Sequence, residues 1–129
     1  VADPVFLSIA EILEIHNDQI TRYGGSPGIR DIGLLESAFA APACSFGDNY
    51  LHKDIFEMAA AHLFHIAKNH PFVDGNKRVG AVAALVFLAM NDIEIAFDED
   101  AFEQTVIAVA EGRLDKAAIA AFFRNSSIS

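Results

Sequence analysis

Twelve consecutive residues, Val79 to Met90, carry no charged or strongly polar side chain. A membrane-crossing helix needs about 17–25 such residues, so the run is too short to span a bilayer. A helix that is apolar nearly all round must be buried by neighbours on every side. The expectation is therefore a core helix at the centre of a helical domain. The 129 residues are expected to form one domain, and a second independent one among them is nearly ruled out. With 53% hydrophobic and 21% charged residues, the chain can build a core without staples and is not disordered. The one cysteine, Cys44, excludes an intramolecular disulfide and a Cys-rich zinc site. That composition suits a reducing cytoplasm. The first residues, with Asp3 and Pro4, lack the basic opening of a signal peptide, so no targeting segment is expected among them, although a disulfide-free secreted protein would also fit the composition. A net charge of −9 argues against direct nucleic-acid binding.

About six helices are predicted. Ser8 and Glu11 have capping-box spacing and open a helix from Ile9 to Tyr23, which Gly24-Gly25 closes. Asp31 caps a second helix, through Leu34, Leu35, Ala38 and Phe39, stopped by Pro42. Residues 43–50 read as a loop or a short flap hairpin. A third helix runs from about Lys53 to Asn69 and the fourth from about Asn76 to Met90. Ile93 to Phe97 reads as a short extended piece. Two further helices, Glu99–Glu111 and Asp115–Arg124, are divided by Gly112, and residues 126–129 are expected to fray. The whole of residues 1–129 reads as one all-α domain.

The segment between the third and fourth helices, His70-Pro71-Phe72-Val73-Asp74-Gly75-Asn76-Lys77-Arg78, carries the chemistry. It ends at a helix N-terminus, where free N–H groups and the positive dipole end favour an anion. Asn76 is placed to cap that helix. Lys77 and Arg78 sit in its first turn, where cations are unfavourable for the helix itself, and this points to a phosphate nearby, with a surface ion pair as the plainer alternative. His70 is of the type that takes a proton from a hydroxyl. Asp74 is of the type that holds magnesium beside phosphate oxygens. Phe72 reads as the anchor of the loop.

These nine residues resemble the signature of the Fic/Doc family, HxFx[D/E]GNGRxxR. The flanking HIAKNH and the earlier RYGGSPG are similar to the Doc, or death-on-curing, branch. The resemblance implies a helical enzyme that uses ATP and Mg2+ to modify a protein hydroxyl. His70 matches the general base, Asp74 the acidic residue for the metal, Gly75 and Asn76 the anion-cradling turn, and Arg78 a phosphate contact. Lys68 is a further candidate for drawing phosphate to the site. Two positions depart from the general pattern. Lys77 replaces its second glycine, and Ala81 stands where its last arginine would be. Both departures are shared with the Doc branch, which resembles a kinase, whereas most Fic proteins transfer AMP. The resemblance thus implies γ-phosphate transfer to Ser or Thr of a translation factor, with elongation factor Tu the implied target. The alternatives are AMP transfer and a non-catalytic nucleotide- or partner-binding member. The inhibitory pattern Ser/Thr-x-x-x-Glu finds no match, since Ser37 is followed by Ala41 and Thr105 by Val109 at that offset. A separate antitoxin helix is the implied restraint.

The other chemistry-bearing residues have plainer readings. His62 falls on an apolar stripe and reads as a hydrogen-bonded core histidine rather than a metal ligand, and His65 as a packing or loop-supporting residue. His16 and His52 read as surface residues, Cys44 as a small buried hydrophobe, and the phenylalanines outside the motif as core filler. Asp98-Glu99-Asp100 reads as a solvated helix start.

Overall fold

Short side chains set where each helix begins. The computed structural model describes residues 3–128. Ser8 Oγ accepts from the Glu11 N–H at 3.1 Å, and Glu11 Oε1 accepts from the Ser8 N–H at 2.8 Å, opening α1 (Ile9–Tyr23). Asp31, Asp54, Asp98 and Asp115 cap α2 (Ile32–Ala40), α3 (Ile55–Asn69), α5 (Glu99–Ala110) and α6 (Lys116–Ser126), each carboxylate accepting from a first-turn backbone N–H. Each such cap is worth about 1 kcal/mol. The exception is α4 (Asn76–Met90), which Gly75 precedes in the left-handed conformation and which no side chain caps. Asn76 is the first residue inside this helix and turns back onto the loop, which corrects its expected capping role.

The fold is all-α apart from one hairpin, as expected. Strands β1 (Ser45–Phe46) and β2 (Asn49–Tyr50) pair antiparallel around Gly47-Asp48. Phe46 at its tip is 87% exposed and so is not core filler. Cys44, just before the hairpin, is also exposed, because the chain has already left the core through the 3₁₀ turn Ala41–Ala43.

The centre of the domain is α3, not α4. It packs against α2, α4, α5 and α6, and Ala59, Ala60, Leu63, Ile66 and Ala67 are wholly covered. Helix α4 lies close along it. A Cβ on Gly80 would stand 3.1 Å from the Leu63 carbonyl oxygen, tighter than ordinary contact, so glycine lets the two helices approach this closely without a shift of the Leu63 backbone. The other face of α4 is not enclosed as its apolar run suggested. Ala89 is exposed, and Ala81 and Leu85 line an open groove of about 450 Å³ against Phe102 and Val106 of α5.

The C-terminal segment is tied down where fraying was expected. Ser126 belongs to α6, its carbonyl accepts from the Ala96 N–H, and the Ile128 N–H donates to the Glu94 carbonyl. The extended piece around Ile95 thereby gains its partner strand at Ser127. Ser129 lies outside the described residues.

Candidate functional site

Helix α3 ends at His70, which adopts the left-handed conformation (φ 50°, ψ 56°). A β-carbon makes this costly, by about 1–2 kcal/mol. Neighbours hold it there. Arg30 Nε donates to the His70 carbonyl at 2.6 Å and its Nη2 to the Asn69 carbonyl at 2.8 Å, closing the end of α3. The Pro71 carbonyl accepts from the N–H groups of Arg30 and Asp31, and the Val73 N–H donates to Gly28. The stretch from Gly24 to Asp31 therefore runs along the motif loop and braces it.

Inside the loop, Phe72 is fully buried and anchors it, as expected. Asn76 Oδ1 accepts from the Phe72 N–H and its Nδ2 donates to the Phe72 carbonyl, both at 3.0 Å. These two bonds fix the orientation of the amide, which faces His70 Nδ1 at 3.5 Å. That distance is too long to lock the imidazole tautomer. His16 is a correction to the surface reading. It is buried, its ring lies on that of Phe72 with centroids 3.9 Å apart and planes 7° from parallel, and its Nε2–H donates to the Asp74 carbonyl at 3.1 Å.

Asp74 itself is exposed, yet its carboxylate is aimed. Oδ2 accepts from the Ser26 N–H at 3.2 Å and Oδ1 from the Gly75 N–H at 2.9 Å. A Cβ on Gly25 would come within 2.8 Å of Asp74 Oδ2, so the missing side chain makes room for the carboxylate. Arg78 Nη2 donates to the Gly24 carbonyl at 3.0 Å, and its guanidinium lies 5.6 Å from the centre of the Tyr23 ring. His70, Asp74, Gly75, Asn76, Lys77 and Arg78 line one open hollow of about 430 Å³. Exposed imidazole, carboxylate and ammonium groups thus meet at the uncapped N-terminus of α4, an arrangement suited to a phosphate-bearing ligand. Lys68 is not part of it. Its side chain lines a separate hollow with Phe64 and Arg113, and its ammonium lies against Gly112.

The other histidines play structural parts. His62 donates from Nδ1 to the Met58 carbonyl at 2.8 Å, and burial pushes its pKa down to about 4. His52 is buried, against expectation. Its Nε2 and that of His65 stand 3.2 and 3.1 Å from Lys116 Nζ. An ammonium only donates, so both imidazoles accept and both must be neutral there. Burial first and Lys116 second push the His65 pKa down to about 4, and the same causes lower His52. Among the described residues, no group of three or more His, Cys, Asp or Glu side chains is placed to hold a metal. No helix of the described residues is long and apolar enough to cross a membrane.

A helical domain with this loop, between a buried helix and an uncapped helix start, defines the class. The sequence profile of the Fic/DOC family matches residues 6–88, and the chain belongs to that family. Within it the chain falls in the Doc branch. It is 31% identical over 114 residues to the "Protein kinase doc" of Escherichia phage P1, covering 88% of this chain and 89% of that one. It is 39% identical over 101 residues to the "Toxin Doc" of Mycolicibacterium smegmatis, covering 77% and 78%.

Sequence reasoning missed His16, Ser26 and Arg30 as parts of the site. The signal for two of them was at hand in RYGGSPGIR, whose glycines leave a bare backbone for the motif loop to lie against. Nothing in the sequence marked His16.

Proposed function

We propose that this chain is a toxin that transfers the γ-phosphate of ATP to a Ser or Thr hydroxyl of a protein. The observation that carries the reading is the single exposed hollow holding His70, Asp74, Lys77 and Arg78. Membership of the Doc branch and the name of the phage relative, a protein kinase, support transfer of phosphate rather than AMP. Lys77 and Ala81 support it too. Lys77 fills the space where AMP-transferring members keep glycine, and Ala81 lacks their second guanidinium.

In this reading His70 takes the hydroxyl proton as the oxygen attacks the γ-phosphorus. A new O–P bond forms, the bond to the β–γ bridging oxygen breaks, and ADP departs. Such a reaction depends mostly on positioning and on neutralising phosphate charge. Lys77, Arg78 and the first-turn N–H groups of α4 supply that charge, which matters because the protein at −9 repels ATP on average. The site fits one magnesium ion held by a lone carboxylate. Each Asp74 oxygen spends one lone pair on a backbone N–H and keeps another. Magnesium commonly binds through one or two carboxylates plus phosphates and waters. When bound, it neutralises phosphate charge, and Asp74 is the residue here that would hold it.

The target in this reading is a translation factor, elongation factor Tu, and the restraint is a cognate antitoxin helix. The open apolar groove between α4 and α5, bordered by Lys77 and Arg78, supports helix-in-groove docking beside the motif. The exposed free thiol of Cys44 supports a reducing, cytoplasmic setting. A core cluster drawn from Leu7 through Phe123 supports one Fic/Doc domain acting as a unit. The deciding experiment incubates the chain and elongation factor Tu with γ-labelled or α-labelled ATP. Label is expected on the factor from the γ-phosphate only. Label from the α-phosphate would mean AMP transfer.

A further inference from the structure

We infer that His16, which lies on α1 outside the motif, is a positioning residue that holds the Asp74 carboxylate in its working direction. The peptide joining Asp74 to Gly75 is planar, so its carbonyl and its N–H turn together. His16 Nε2–H holds the carbonyl end at 3.1 Å. The N–H end donates to Asp74 Oδ1 at 2.9 Å, so the orientation of that plane sets the orientation of the carboxylate. The bond between Gly75 and Asp74 is local and travels with the loop wherever the loop goes. Only bonds from distant parts of the chain can fix it in the frame of the domain. Two reach Asp74 from outside: the Ser26 N–H on the exposed brace and the buried imidazole of His16.

His16 is the stiffer of the two. Its ring is clamped flat against Phe72, which is itself wholly buried and held at both backbone groups by Asn76. The imidazole thus transmits the position of the core to an otherwise exposed acid. Its Cδ2 edge also faces Gly75, where a Cβ would stand 4.0 Å away. One histidine therefore borders both the acid and the turn that precedes α4.

The inference about catalysis rests on the proposed phosphate-transfer reading, while the inference about geometry does not. Two substitutions separate the ring from the donor. His16→Phe keeps a ring on Phe72 and removes the donor. His16→Gln places an amide nitrogen as many bonds from Cβ as the histidine Nε2 and removes the ring. Amide hydrogen exchange reads the geometry without any substrate. His16→Phe should speed exchange at both Ser26 and Gly75 by about tenfold, a local opening rather than global unfolding. His16→Gln should keep both amides near wild type even where its melting temperature falls. In the transfer assay His16→Phe should lower kcat by about 10-fold or more with KM for the protein target unchanged, as expected when a catalytic group is misplaced. His16→Gln should restore most of that rate. Unchanged exchange in His16→Phe, or equal losses in both variants following melting temperature, would overturn the positioning role. A wild-type chain that transfers no phosphate but shows the expected exchange pattern would overturn the functional reading and leave the positioning role standing.

Discussion

Arg30 closes α3 from outside it, with its guanidinium donating to the His70 carbonyl at 2.6 Å and to the Asn69 carbonyl at 2.8 Å. Those carbonyls belong to the last turn of the helix, where no intrahelical N–H is available to them. The same contact holds His70 in its left-handed conformation. Arg30→Ala should therefore lower stability by about 1–2 kcal/mol, the worth of a charge-assisted bond on a partly solvated group. It should lower transfer activity by a larger factor, because the imidazole it supports loses its place. Urea unfolding and the labelled-ATP assay on the same preparation check both. Arg30→Lys, a point charge without the fork, should recover only part of each.

His70 pays in backbone strain for its position, and this separates its structural from its chemical role. Glycine relaxes a left-handed site by about 1 kcal/mol. His70→Gly should be more stable than His70→Ala in urea titration. Both should lose about 10²–10⁴-fold in phosphate transfer, the usual contribution of a general base. Helical circular dichroism should be unchanged in each. Activity near wild type in either variant would remove His70 from the mechanism.

Asp74 and Arg78 answer to different parts of a nucleotide. Asp74→Asn should weaken magnesium-dependent nucleotide binding, because the metal needs the carboxylate charge. Arg78→Ala should weaken binding with or without the metal, since a guanidinium meets phosphate directly. In calorimetry with magnesium removed, the loss from Arg78→Ala should exceed that from Asp74→Asn. The opposite order would mean the two roles are exchanged.

Helix ends and the motif loop were legible because they depend on neighbours a few residues away. Ser8 with Glu11, and Asp31, announce their helices within one turn. The burial of His62 and Phe72 followed from local pattern as well, whereas residues 43–50 fitted a loop or a hairpin and the strand pairing decides for the hairpin. What stayed hidden depends on residues far apart in the chain. His16 meets Asp74 across 58 positions, and Lys116 meets His52 across 64 and His65 across 51. No periodicity encodes such meetings. The fourth helix misled for a related reason. An apolar run reports how much surface avoids water, and it does not tell a buried face from one that lines an open groove. Residues 126–128 lacked pattern because their order comes from backbone pairing with residues 94–96, which any side chains allow.

Acid should destabilise the fold through its neutral histidines. His62 and His65 have folded pKa values pushed from the ordinary 6.5 to about 4, and His52 is also lowered. As pH falls below about 6.5 the unfolded chain takes up protons first, so stability present above that pH is lost progressively toward pH 4. The slope from buried His62 can approach ~1.4 kcal/mol per pH unit, and solvent screening makes that from half-buried His65 smaller. Lys116→Met removes the ammonium that keeps His52 and His65 neutral. It should make the acid slope shallower without abolishing it, because burial is the first cause of both shifts. Thermal melts across pH 4 to 8 on the two proteins give the comparison.

Expression in bacteria tests the toxin reading on the whole chain. On that reading, a chain with no inhibitory Ser/Thr-x-x-x-Glu pattern among these 129 residues should act as soon as it folds. Induction of the unmutated chain alone should arrest growth within a few generations. His70→Ala should relieve the arrest at equal protein level, and Asp74→Asn should weaken it. The groove between α4 and α5 supplies the further arm. Leu85→Glu puts a charge on its apolar wall, in a half-exposed position where it needs no buried partner. That variant should remain toxic by itself, because Leu85 does not line the hollow holding His70 and Asp74. It should escape rescue by a co-expressed antitoxin whose helix docks in the groove. Harmless expression of the unmutated chain would falsify the toxin reading, and full rescue of Leu85→Glu would place the antitoxin on another face.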